Sequence, residues 1–159
     1  MWPSSSTPVV IGVGDFVNRS KRIEDAIEPL QLMLNAIEEA IADTGTSETS
    51  SRHLRAAVDS LDVVRTWTWP YDDLPGLIAQ RLNINPSRKH YTDNGGNQPG
   101  LCFDEAARRI SKGETKVAIL TGGEALASCK KNTAPLTSLR VHFDMNSDPE
   151  GPSSMLIQY

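Results

Sequence analysis

The chain has 159 residues, a formal net charge of −4 and 38% apolar residues. That length suits one ordinary domain, with a core that needs no disulfide or metal to hold it. The acidic balance gives no basic face for nucleic acid. No run approaches the roughly 18–20 apolar residues that a bilayer span requires.

The first predicted strand is Val9-Val10-Ile11-Gly12-Val13-Gly14, a β-branched run broken by glycines. Gly12 and Gly14 suggest a dinucleotide fingerprint at a glance, but the third glycine is missing and no helix opens directly after them. A buried strand whose backbone passes close to another element explains them better. Between Asp25 and Asp43 the residues Ile23, Ile27, Leu30, Leu34, Ile37 and Ile41 recur at spacings of three and four, which predicts an amphipathic helix. Asp25 is the expected cap, with Pro29 tolerated in the first turn and Gly45 closing the C-terminus.

Thr46 to Ser51 reads as a polar loop, followed by a short helix through Leu54, Ala57 and Val58. A strand is predicted over Val63–Trp69, ended by Pro70, with Trp67 and Trp69 on one side of it, where they either pack against a helix or cover a partner surface, core packing being favoured. Asp73 to Leu82 carries Leu74, Leu77, Ile78 and Leu82 at helical spacing. A strand around Lys89–Thr92 leads into Asp93-Asn94-Gly95-Gly96-Asn97-Gln98-Pro99, and Pro99 suits the first position of a helix that runs to Lys112 and stops at Gly113. The last clear strand is Val117–Thr121, followed by Gly122-Gly123-Glu124. Strand and helix alternate, so the expected fold is α/β, a mixed and mostly parallel sheet covered by helices. Residues 130–159 hold three prolines and one apolar patch, Met155-Leu156-Ile157, and are expected to form an irregular tail after a domain over 1–129.

The most informative segment is Asp93 to Ala127. A strand running into a glycine pair and a helix N-terminus brings backbone N–H groups and the positive end of the helix dipole to one point, which suits a phosphate, a thiolate or a developing oxyanion. The run Asp104-Glu105-Ala106-Ala107-Arg108-Arg109-Ile110, then Gly113, then Val117 to Ser128 with its Gly122-Gly123-Glu124 turn, resembles the thiolase superfamily, and the segment Gly95-Gly96-Asn97-Gln98-Pro99 resembles a subgroup related to the sterol-carrier-protein-type thiolases. Pro8 to Gly14 is similar to that family's first strand. The resemblance spans about residues 8 to 129, the N-terminal half of a thiolase.

It implies a thiolase-like acyltransferase acting on acyl-CoA, with coenzyme A or its thioester as substrate rather than as a resident cofactor. It also implies a possible homodimer, or pairing with a full-length thiolase-like protein. The catalytic histidine and second cysteine belong to the family's second half, which is not expected within this sequence. In that family the acyl-accepting cysteine opens the helix about ten residues before the paired small residues, and counting back from Ala106-Ala107 reaches Gly96. No thiol stands there, so covalent catalysis by the isolated chain is not expected. A second reading is therefore a non-catalytic module that binds acyl-CoA and pairs with a fuller partner. By this resemblance Gly95, Gly96, Asn97, Gly122 and Gly123 are the expected substrate-binding residues.

The remaining candidates are weaker. Cys102 lies about six residues into the helix, among Phe103, Ala106 and Ile110, and reads as a packed residue rather than a nucleophile. Cys129 stands beside Lys130 and Lys131. His90 precedes Asp93 by three residues, a spacing that allows a His–Asp base pair, although a histidine alternating into the sheet accounts for it as well. Glu124 is expected to be a hydrogen-bonding anchor. Two cysteines so far apart fit neither a disulfide framework nor a metal site, and no metal is expected. Neither a secretory signal nor a peroxisomal Ser-Lys-Leu ending is legible, so the expected setting is intracellular, the cytoplasm first, with peroxisome and mitochondrion left open by the resemblance.

Overall fold

The computed structural model describes residues 7–20 and 22–125, together with the backbone of the strand Ser154–Gln158. In chain order the elements are β1 (Val9–Gly14), α1 (Pro29–Asp43), α2 (Glu48–Ala57), β2 (Val58–Val63), α3 (Leu74–Leu82), β3 (Arg88–Tyr91), α4 (Gln98–Ser111), β4 (Val117–Thr121) and β5 (Ser154–Gln158). The sheet order is β1-β5-β4-β2-β3. β2 pairs parallel with β3 and β4, and β5 pairs antiparallel with β1 and β4, so the mixed, mostly parallel sheet is present.

α1 and α3 cover one face of this sheet. Leu30, Met33, Leu34, Ile37, Ala40 and Ile41 pack against Leu61 and Val63 of β2, Val117 and Ile119 of β4, and Leu74 and Ile78 of α3. Fully burying one such large side chain contributes about 1.5–3 kcal/mol, so this layer supplies most of the hydrophobic stabilisation. Gly12 and Gly14 are needed because β1 lies directly on α1. A Cβ on Gly12 would stand 2.1 Å from the Ala40 carbonyl oxygen, and one on Gly14 would stand 2.0 Å from that of Ala36. α4 covers the opposite face with a small apolar cluster, Ala106, Ile110 and Ala118.

Several local expectations are corrected. Glu28, not Asp25, occupies the N-cap of α1, because Pro29 already fits the first helical position; Ile23–Asp25 forms a separate 3-10 turn. The expected loop at Thr46–Ser51 is largely helix, since the Ser47 side chain accepts a hydrogen bond from the Ser50 amide and caps α2. Val58 opens β2 instead of closing that helix.

The strand predicted over Val63–Trp69 lies instead at Val58–Val63. Two aspartates hid it: Asp59 accepts from the amides of Lys116 and Val117, and Asp62 is buried in an ion pair. Finally, the apolar patch of the expected tail provides β5, inside the sheet, while 130–153 and Cys129 lie outside the described residues. No helix among the described residues is long and apolar enough to cross a membrane.

Candidate functional site

Three parallel strands, β4, β2 and β3, end side by side, and a crevice at the carboxyl ends of such strands is where open α/β sheets bind ligands. Here a cleft of about 160 Å³ is lined by Val64, Arg65 and Trp67 after β2, Gly95, Gly96 and Pro99 after β3, and Gly123 and Glu124 after β4. Local bonding shapes each wall. Beyond β2 the chain leaves the ladder because side-chain acceptors take its polar groups. Thr92 Oγ1 accepts from the Arg65 amide, and the Glu124 carboxylate accepts from the Trp67 amide and the Thr66 and Thr68 hydroxyls. Trp67 is consequently 63% exposed at the rim of the cleft rather than packed in the core.

The Gly95-Gly96 turn precedes the N-cap residue Asn97, and the Gln98 amide donates back to the Gly95 carbonyl at 3.1 Å. Nothing lies within 4 Å of where a Cβ on Gly96 would stand, so this position has room for a side chain that the sequence does not supply. On the third wall, a Cβ on Gly123 would stand 3.2 Å from Met33 Cγ, so glycine lets the turn rest on α1. Gly95, Gly96 and Gly123 therefore meet in one cleft, whereas Gly122 is buried and Asn97 is exposed, and neither lines it.

Cys102 and His90 belong to a different cluster, behind α4. Asp62, fully buried on β2, accepts from Arg109 Nη2 at 2.6 Å and from Ser60 Oγ at 3.2 Å. Arg88 Nε lies 3.6 Å from its other oxygen, and Glu105 lies near both arginines. His90 Nδ1 stands 3.2 Å from Asp62 and 4.0 Å from Cys102 Sγ. The partner of His90 is thus Asp62, not Asp93, because Asp62 sits beside it in the β2–β3 register.

This cluster is no nucleophilic triad, since a triad histidine uses its two ring nitrogens for two different partners, while here one nitrogen faces both. Burial, reinforced by the Asp62 charge, also pushes the Cys102 thiol above its ordinary range and keeps it protonated. The three donor atoms lie within 4.8 Å of one another, a separation a metal could bridge. Two guanidinium groups already compensate Asp62, so a cation there would meet like charge.

A larger cavity of about 530 Å³ lies between β1 and α2, lined by Ile11, Thr44, Thr46, Ser50, His53, Leu54 and Ala57. It sits near the C-terminal end of α1, away from the strand ends that carry the glycine turns. Its threonine and serine hydroxyls bond to each other and to neighbouring groups.

No model of a known protein family matches the sequence, and no curated protein matches it. Among solved structures, a monomeric SCP2-thiolase-like protein from Mycobacterium smegmatis aligns at 24% identity with a TM-score of 0.63, over 76% of this chain and 24% of that one. The 3-oxoacyl-(acyl carrier protein) synthase III FabH from Pseudomonas aeruginosa PAO1 aligns at 15% identity and a TM-score of 0.63, over 97% of this chain and 52% of its own. The chain has a thiolase fold. A variant of OleA from Xanthomonas campestris, with bound lauric acid and lauroyl-CoA, aligns at 12% identity and a TM-score of 0.66, covering 96% of this chain and 56% of that one. The chain thus spans about a quarter to little more than half of these thiolase-fold proteins.

Sequence reasoning found the two glycine turns but missed Arg65, Trp67, Asp62 and Arg109. The one signal for the last pair was a strand-like run, Val58-Asp59-Ser60-Leu61-Asp62-Val63, with charges where a parallel strand should be apolar.

Proposed function

We propose that this chain binds the acyl end of an acyl-CoA thioester in the cleft between Gly96 and Glu124, and holds it without forming an acyl-enzyme. The observation that carries this reading is the glycine at the expected nucleophile position, which faces the cleft while Cys102 lies buried behind the helix. The N-terminal end of α4 brings the positive end of its dipole to the Gly96 side of the cleft, which favours a thioester carbonyl, and Trp67 offers a flat apolar wall. The lauroyl-CoA held by a protein of the same fold supports the choice of ligand.

The activity class that the resemblance implies is acyl transfer or acetoacetyl-CoA-type carbon–carbon bond chemistry. Such chemistry would draw its nucleophile from outside this cleft, and pairing with a fuller thiolase-like chain, or dimerisation, is the arrangement that provides one. The test is a thermal melt of the purified chain with coenzyme A and acetyl-CoA, followed by intact-mass spectrometry. Ligand at a hundred times its dissociation constant adds about 2.7 kcal/mol, a readily measured shift. A shift with no covalent acetyl adduct is expected. An adduct formed in proportion to turnover would overturn the non-covalent reading, and the absence of any shift would remove the acyl-CoA site itself.

A further inference from the structure

Arg65 differs from the arginines around Asp62. Arg88 and Arg109 lie within salt-bridge distance of Asp62 and Glu105, but no carboxylate lies within 4.0 Å of the Arg65 guanidinium among the described residues. Its position is nonetheless fixed. The guanidinium carbon stands 4.3 Å from the centroid of the Tyr91 ring, and Nε donates to the Thr92 carbonyl at 2.9 Å. Glu124, the other charged group of the cleft, is already occupied by three donors.

The result is a pre-set planar fork, with its terminal nitrogens uncommitted, on the wall of a small cavity. Such a fork matches a carboxylate bidentately and loses little side-chain freedom on binding, because stacking has already ordered it. The size of the cleft suits a short group beside that carboxylate. A cavity of about 150 Å³ holds a benzene molecule, that is, about six non-hydrogen atoms. The cleft here, about 160 Å³, is of that size.

We infer that Arg65 selects a short acyl group ending in a carboxylate, of about four carbons, as the thioester this cleft accepts. The inference rests on the acyl-CoA reading above and narrows it to a dicarboxylic monothioester. The cleft then discriminates by charge at its far wall, with the Gly96 turn at the thioester end.

Isothermal titration of the full chain with succinyl-CoA, butyryl-CoA and coenzyme A tests this, since the two thioesters share a four-carbon acyl chain and differ in the carboxylate. Succinyl-CoA is expected to bind at least about tenfold more tightly than butyryl-CoA. Arg65→Gln should bring the two within about twofold of each other, chiefly by weakening succinyl-CoA. Arg65→Lys, which keeps the charge but loses the fork, should fall between, and it stands in should the glutamine variant melt abnormally without ligand. Equal affinities in the unaltered chain would overturn the inference and leave acyl-CoA binding intact. Arg65→Gln weakening all three ligands alike would also overturn it, placing the side chain on a phosphate of coenzyme A. Binding of none of the three would remove the acyl-CoA reading together with the inference.

Discussion

The two faces of the central sheet are built on different principles. Among the described residues, fifteen buried side chains on the α1 and α3 side form one continuous apolar cluster, and polar groups are confined to its margins. Among those on the α4 side, Ala106, Ile110 and Ala118 form a small cluster, and a buried carboxylate with two arginines, a histidine and a thiol fills the adjoining space. The same strand, β2, serves both faces: Leu61 and Val63 point to the first and Ser60 and Asp62 to the second, as the two-residue period of a strand requires. The contrast teaches that α4, whose N-terminus forms the candidate site, is held by directional, charge-assisted bonds rather than by apolar mass. Such bonds fix position more sharply than they add stability. On its outer side α4 also leaves Leu101 and Phe103 exposed, at 47% and 38%.

Substitutions can break this contrast. Asp62→Ala strands Arg109 and Arg88 without their buried counter-charge, and chemical denaturation is expected to show a loss of about 3–5 kcal/mol. On the other face Ile37→Ala removes a fully buried side chain and should cost about 2–5 kcal/mol by the usual cavity effect. The two differ in kind: ligand binding should survive Ile37→Ala wherever the protein remains folded, whereas Asp62→Ala should also weaken it by loosening α4. Equal effects on binding would erase the distinction between the faces.

Glu124→Gln should cost about 1–2 kcal/mol, because a neutral amide replaces the charged acceptor of three donors from the Thr66–Thr68 segment. Release of that segment would show as altered fluorescence of Trp67. A stability and spectrum identical to the unaltered chain would mean that Glu124 anchors nothing.

Titration to alkaline pH sharpens the comparison further. Burial raises Cys102 on the α4 face, and burial likewise raises Tyr71 and Tyr91. The folded state therefore holds these protons more tightly than the unfolded chain does. The stability they lend is full below the ordinary thiol and phenol values, about 8.5 and 10, and is lost as pH rises through them toward the raised folded values. The thiol step comes first, and Cys102→Ala should abolish it while leaving the phenol step in place.

The smallest effect on stability, and the most direct on chemistry, is expected from Gly96→Cys. A Cβ there meets nothing within 4 Å, so the change should stay within about 0.5 kcal/mol of neutral. The new thiol, at a helix N-terminus on an open cleft, should react with iodoacetamide faster than a free thiol at neutral pH, while Cys102 stays inert until unfolding. Slow alkylation at Gly96→Cys would show that this turn does not present its side chain as a nucleophile position must.

Much of the fold was legible in the sequence. The three-and-four spacing from Leu30 to Ile41 gave α1, Pro99 and Gly113 bracketed α4, and the apolar run Val117–Thr121 gave β4, because each of these signals is local. The pair Gly95-Gly96 and the turn Gly122-Gly123-Glu124 were legible for the same reason. β2 was misplaced, because its aspartates look wrong for a buried strand until Lys116 and Arg109, about fifty residues away, are seen to satisfy them. Trp67 was placed in the core on its residue type, and the Glu124 carboxylate instead holds its backbone at the rim.

By itself, then, the sequence determined the alternation of strands and helices, the two glycine turns, and the absence of a thiol at Gly96. Periodicity, capping and backbone freedom are properties of neighbouring residues, so they can be read in order along the chain. Only the tertiary structure decided which turns share a cleft, that His90 faces Asp62 and not Asp93, that Cys102 is shut away, and that Arg65 keeps an uncommitted fork. Those outcomes depend on which strands lie side by side, and burial and charge compensation are set by partners far apart in sequence.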